Sequence, residues 1–138
     1  MLANWKRKRE EKRAVDKAVA ESQYWKTHPG LQSCLQSMRG SCTVAPQQMH
    51  EAAIAVVNIA LMEDTWTQSE QIPEDFLADT LYIVWNDEKI PVLKAPRDLV
   101  LEYFSTVTAV SEKTFLVSDT MDRIVHWTDG NFYLYSVS

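Results

Sequence analysis

The chain has 138 residues, 46% of them hydrophobic and 24% charged, with a formal net charge of −5. That length holds one domain with a real core and excludes two full ones, while the composition excludes disordered, collagenous and disulfide-dense chains. No run approaches the roughly 18 apolar residues of a membrane span, and the amino end (Lys6-Arg7-Lys8-Arg9) turns charged where a signal peptide would turn apolar, so a cytoplasmic protein is expected.

The net charge conceals an asymmetry. Residues 1–26 hold eight Lys/Arg against four Asp/Glu, a balance of +4, and residues 27–138 hold six against fifteen, a balance of −9. The basic segment pairs Lys6 with Glu10 and Arg7 with Glu11 at i,i+4 spacing, as a solvated helix face does. Helix formers run from Trp5 to about Lys26 with a narrow apolar stripe (Ala14, Val15, Ala18, Val19), and His28-Pro29-Gly30 stops them. A single domain over 1–138 is expected, with 1–28 a charged helix packed on it or extending from it.

A short helix follows over residues 31–38 and ends at Gly40. Pro46 suits the first turn of a third helix, in which Met49, Ala52, Ala53, Val56, Val57, Ala60 and Leu61 recur at three and four. Because 52–57 is apolar all round, this helix is expected to be the most buried. A polar connection then leads to a short turn of helix at 73–77. From there the period becomes two: Leu81, Ile83 and Trp85 share one strand face and Tyr82 and Val84 the other, and Asn86-Asp87-Glu88 turns the chain into a second strand at 89–93. Pro91 cannot donate to a ladder, which predicts an edge strand or an unpaired position. Pro96 opens another helix with Leu99, Val100, Tyr103, Phe104 and Val107 on one face.

The last segment predicts strands at 115–117, 124–128 and 132–137. Asp129-Gly130 is a favoured pair for a two-residue type I′ turn, which sets Trp127 opposite Phe132, His126 opposite Tyr133, Val125 opposite Leu134 and Ile124 opposite Tyr135. Val125, Trp127, Phe132 and Leu134 then form a core face. The fold class is α+β, with N-terminal helices followed by an antiparallel sheet in the order β-β-α-β-β-β.

Little in the chain reads as catalytic. Cys34 and Cys42, with seven residues between them, match no redox or zinc pattern and are read as free thiols, with a disulfide across Gly40 as the alternative. Gly30, Gly40 and Gly130 are too far apart for a phosphate loop. His126, with Asp122 and Asp129 near it in sequence, is the one candidate for acid–base work, against a structural role. Glu63, Asp64, Glu70, Glu74, Asp75 and Asp79 crowd one connection. They lack calcium-loop spacing and read as a solvated acidic loop or a protein-binding surface; gathering a cation is the other alternative. Tyr133 and Tyr135, opposite the core face, are either covered by a helix or exposed beside Asp119, Asp122 and Asp129, where they suit a basic partner. No cofactor, metal or direct nucleic-acid contact is expected, since an acidic body repels phosphates.

A small acidic α+β chain with no active-site motif, ending in the hairpin Ile124-Val125-His126-Trp127-Thr128-Asp129-Gly130-Asn131-Phe132-Tyr133-Leu134-Tyr135, resembles the immunity proteins that bacteria make against toxins of contact-dependent inhibition. The resemblance implies a non-enzymatic inhibitor that binds the carboxy-terminal domain of a cognate toxin, commonly a basic nuclease, and covers its active site. The toxin-facing residues are then Asp119, Asp122, Asp129, Tyr133 and Tyr135, or Glu63, Asp64, Glu74, Asp75 and Asp79 of the acidic connection. From Pro46 onward the element order is also similar to the cone-shaped NTF2-like fold, which implies a small-molecule pocket or an enzyme centred on His126; the early end and the charged first helix depart from it. A third reading is an adaptor that uses residues 5–26 as a partner helix.

Overall fold

The computed structural model describes residues 29–38, 41–85 and 90–137. The charged helix expected over 5–26, the turn at 86–88 and Gly40 lie outside the described residues. The elements are α1 (Pro29–Ser37), β1 (Thr43–Val44), α2 (Gln47–Leu61), β2 (Thr67–Ser69), β3 (Thr80–Val84), β4 (Leu93–Pro96), α3 (Arg97–Glu102), α4 (Phe104–Thr108), β5 (Thr114–Ser118), β6 (Arg123–Thr128) and β7 (Asn131–Ser136).

Among the described residues, seven strands form one antiparallel sheet in the order β1-β4-β3-β5-β6-β7-β2. The α+β class holds. The order β-β-α-β-β-β is corrected by two short strands outside it, β1 and β2, which form the two edges. Neither has an apolar alternation of its own: Thr67-Gln68-Ser69 pairs because β7 offers an open edge to it, with Gln68 opposite Tyr133. A pairing partner, not local pattern, makes such a strand.

The β6–β7 hairpin has the register set by its turn, with Trp127 opposite Phe132 and Ile124 opposite Tyr135. Asp129 and Gly130 both take positive φ, 53° and 77°, as a type I′ turn requires. The strand expected at 89–93 begins instead at Leu93. Leu93 and Ala95 are buried and Lys94 and Pro96 exposed, a clean alternation. Pro91 precedes the paired residues, so its missing N–H leaves no gap in the ladder. Nor is β4 an edge, since β1 covers its outer side. The helix expected after Pro96 breaks at Tyr103 (φ −104°, ψ 29°) into α3 and α4. Leu99, Val100, Tyr103, Phe104 and Val107 nevertheless all pack into one core.

Side chains alternate across the sheet and fill two cores. On one face Leu81, Ile83, Leu93, Ala95, Leu116 and Val125 meet Leu31 and Cys34 of α1, Met38 just after it, and Val100 and Val107. On the other, Tyr82, Val84, Phe115, Val117, Ile124 and Tyr135 meet Ala53, Val57 and Ala60 of α2. Two alanines in that contact stripe leave room for Tyr82 and Phe115 beneath the helix. Although residues 52–57 are apolar all round, α2 buries one stripe, Ala53, Val57 and Ala60, and leaves Ala55, Ile59 and Leu61 exposed, because only one stripe of a helix can face a sheet. Helices cover both faces of the sheet, an arrangement that lends no support to an NTF2-like cone. Trp85 Nε1 donates to the Val107 carbonyl at 3.0 Å and ties β3 to the end of α4.

Two substitutions test this account by urea unfolding. Leu116→Ala, at a fully buried position, is expected to cost about 2–5 kcal/mol. Gly130→Ala meets nothing within 4 Å and is strained only by its positive φ, so about 1–2 kcal/mol is expected.

Candidate functional site

An antiparallel sheet delivers its turns to two opposite ends, and that sorts the acidic residues. The start of β3, the end of β4, the β5–β6 turn and the end of β7 share one end. There the Asp119 amide donates to the Thr80 carbonyl at 3.1 Å, and the Val137 amide to the Asp122 carbonyl at 2.8 Å. Asp79, next to Thr80, therefore lies beside Asp119, although 40 positions separate them in the chain.

Arg97, the first residue of α3, organises this end. Its guanidinium reaches Asp79 at 3.4 Å and Asp98 at 3.3 Å. It also donates to the Leu77 carbonyl at 2.9 Å, while its amide donates to the Asp79 carbonyl at 2.8 Å. The Asp79 and Asp98 side chains are 95% and 90% exposed, so these pairs orient the loop without neutralising it, and exposed pairs add little stability. The Ala78 amide donates to Ser118 Oγ at 3.0 Å, and Arg123 lies over the Phe76 ring at 5.1 Å. Those contacts bring exposed Glu74 and Asp75 to the same end. The Thr120 hydroxyl donates to the Asp122 carboxylate.

The sequence-predicted residues thus divide. Asp79, Asp119 and Asp122 come together with Glu74 and Asp75. Asp129 is parted from them by the six residues of β6, about 20 Å at roughly 3.3 Å per residue. The set of Asp119, Asp122, Asp129, Tyr133 and Tyr135 is therefore not one patch. Tyr135, 9% exposed, is core, covered by Trp66 at 5.2 Å between ring centres and by α2; Tyr133 is half-buried. Glu63 and Asp64 are exposed just beyond the C-terminal end of α2. Sequence reasoning missed Asp98 and Arg97. Their signal was the helix start after Pro96, where an acidic first-turn residue favours the helix and stays at the surface.

His126 sits elsewhere. Its ring stacks on Phe115 at 4.1 Å and meets Trp66 at 6.0 Å and Tyr133 at 6.3 Å, and its buried Nε2 has no hydrogen-bond partner. Asp122 and Asp129, its expected orienting carboxylates, lie in the turns at either end of β6. Burial, reinforced by Lys113, pushes its pKa below the usual imidazole value. Trp66 closes this cluster and donates from Nε1 to the Ala60 carbonyl at 2.7 Å, satisfying a carbonyl in the last turn of α2. Burial also pushes the Cys34 thiol up to about 12 and the Cys42 thiol up to about 11. Both are free and almost wholly protonated at neutral pH, so neither is an activated nucleophile. Among the described residues no three His, Cys, Asp or Glu side chains gather as metal ligands, and no helix is long and apolar enough to cross a membrane.

At the sheet end the exposed carboxylates of Glu74, Asp75, Asp79, Asp98, Asp119 and Asp122 outnumber the cations Arg97 and Arg123, a balance suited to meeting a basic surface. Comparison with protein families gives that balance a context: the family described as CdiI immunity protein EcoliA0-like matches residues 56–132, more than half of the chain. The chain belongs to that family. It is thus an immunity protein that neutralises a toxin of contact-dependent inhibition. The immunity family's match runs from the middle of α2 into β7 and takes in Glu63 to Asp129. No curated protein matches the chain.

A pH experiment tests the placement of His126. A histidine whose pKa is lower folded than unfolded binds fewer protons in the native state, so its contribution is fully present above about 6.5 and is lost as pH falls below that value. Burial lowers the His50 pKa too, so only a difference between variants isolates His126. His126→Phe, which fills the same aromatic nest without the unpartnered nitrogen, is expected to lose less stability than wild type between pH 7.5 and 5.5 in urea titrations.

Proposed function

We propose that this immunity protein is a non-enzymatic inhibitor acting in the cytoplasm, and that the toxin domain it meets is a basic nuclease whose active site it covers. The acidic sheet end of Glu74, Asp75, Asp79, Asp98, Asp119 and Asp122 is the surface that enters the toxin's substrate groove. The observation that carries this reading is the convergence of these carboxylates, from three separate parts of the chain, on one end of a rigid sheet. Between Arg39 and Lys89 the chain holds nine Asp/Glu and no Lys or Arg, so the first of these parts brings negative charge with no neighbouring cation in sequence.

A nuclease groove is lined with cations placed for phosphates, and clustered carboxylates complement it. Like-signed exposed charges on one surface raise the encounter rate with an oppositely charged partner, an effect that salt screens. Electrostatics of this kind sets association rate and partner choice more than it sets raw affinity. His126, without a carboxylate beside it, lends nothing to a competing enzymatic reading.

Stopped-flow association with the cognate toxin domain tests the reading. A Glu74→Lys/Asp75→Lys/Asp119→Lys protein is expected to associate at least about tenfold more slowly at low ionic strength, with a flatter dependence on salt, and to protect cells poorly. Asp129→Asn, at the opposite end, is expected to stay near wild type. Wild-type association by the triple variant, at an unchanged unfolding midpoint, would refute the assignment.

A further inference from the structure

The C-terminal end of α2 breaks two rules of a solvated helix. Ile59 is 60% exposed, Leu61 44% and Met62 86%, so three large apolar side chains stand in water within four residues. Isolated exposed apolar residues are ordinary, but a cluster at one helix end is not. The last turn carries no basic residue, and exposed Glu63 and Asp64 follow it directly. The negative end of the helix dipole therefore meets two further negative charges, where cations are favoured.

We infer that the end of α2 is a second contact for the toxin, with Ile59 and Met62 as apolar anchors and Glu63 and Asp64 receiving Lys or Arg side chains of the toxin. The inference rests on the proposed toxin complex and deepens it. The exposed groups at this end call for the same occupant: the carboxylates, beside the helix's negative pole, call for cations, and the apolar side chains call for a surface that excludes water. Met is enriched at protein interfaces and adapts its shape to a partner. A second copy of this chain fits poorly, because a two-fold contact repeats the same surface and sets the acidic pairs of both copies against each other.

Met121, between Asp119 and Asp122, packs against the core cluster that holds Ala60 of α2 and Tyr135, and Trp66 joins the same cluster. The proposed toxin contact takes in both the β5–β6 turn and the end of α2. The two regions then divide the labour: the sheet end accelerates encounter, and the α2 end slows release.

The test uses the full chain and the cognate toxin domain. An Ile59→Ser/Met62→Ser variant, altered only at exposed positions, is expected to keep the wild-type unfolding midpoint and association rate and to dissociate about tenfold faster or more. Oxidation by dilute hydrogen peroxide, read by mass spectrometry, is expected to be rapid at Met62 in the free chain and suppressed in the complex. Dissociation of the variant at the wild-type rate overturns the inference. So does protection of Met62 in the free chain, which would mean that a second copy or residues 1–28 already cover it. If wild-type chain fails to bind the toxin domain at all, the proposed function itself falls; if it binds and only the α2 variant is unaffected, that proposal stands and this one does not.

Discussion

The structure depends on one strand that water never reaches. All five residues of β5, from Thr114 to Ser118, are buried, and they feed both cores: Leu116 faces α1, α3 and α4, and Phe115 and Val117 face α2. β5 stands fourth of the seven strands, so β3 and β6 pair with it on either side. A strand buried on both faces must leave few polar groups unpaired, since each costs about 1–3 kcal/mol. Ser118 meets that demand by accepting from the Ala78 amide; Thr114 Oγ1 does not. The Ser118 bond also anchors the acidic connection to the sheet, so packing at the centre and presentation of charge at the rim share one hydrogen bond.

From that strand the distribution of charge follows by geometry. Antiparallel pairing sends Asp79, Asp119 and Asp122 to one end of the sheet and Asp129 to the other, whatever their proximity in sequence. Arg97 then holds the two sides of the sheet end together through Asp79, Asp98 and two backbone carbonyls. A surface presented by a scaffold of this kind loses little conformational entropy when it binds. A flexible acidic loop would lose much more.

The aromatic side chains serve the interior more than the surface. Trp66 stands between Tyr135 and His126 and bonds to the last turn of α2, so one residue in a polar connection joins the helix layer to the hairpin. Phe104, Trp127 and Phe132 form a second set on the opposite face, with ring centres 4.7–5.5 Å apart. With the large rings committed to packing, the sheet end presents mainly carboxylates, and the end of α2 presents exposed Ile59, Leu61 and Met62.

By itself the sequence determined whatever rests on neighbours in the chain. The β6–β7 register followed from the φ > 0 demand of Asp129-Gly130, the inward and outward faces of β3 from a period of two, and the span of α2 from apolar spacing and Pro46. Acidity and the absence of a catalytic motif were legible too, and pointed to the right family. Only the tertiary structure decided what depends on distant partners. It made strands of Thr43–Val44 and Thr67–Ser69, which carry no pattern of their own, and moved β4 to Leu93. It broke the helix at Tyr103, buried Tyr135 under Trp66, and left Ile59 and Met62 in water. It also separated Asp129 from Asp119 and Asp122 while recruiting Asp98. The physical reason is that burial and proximity are properties of pairs of segments: a strand edge, a covering helix or a neighbouring turn is supplied by residues tens of positions away, and no local period records them.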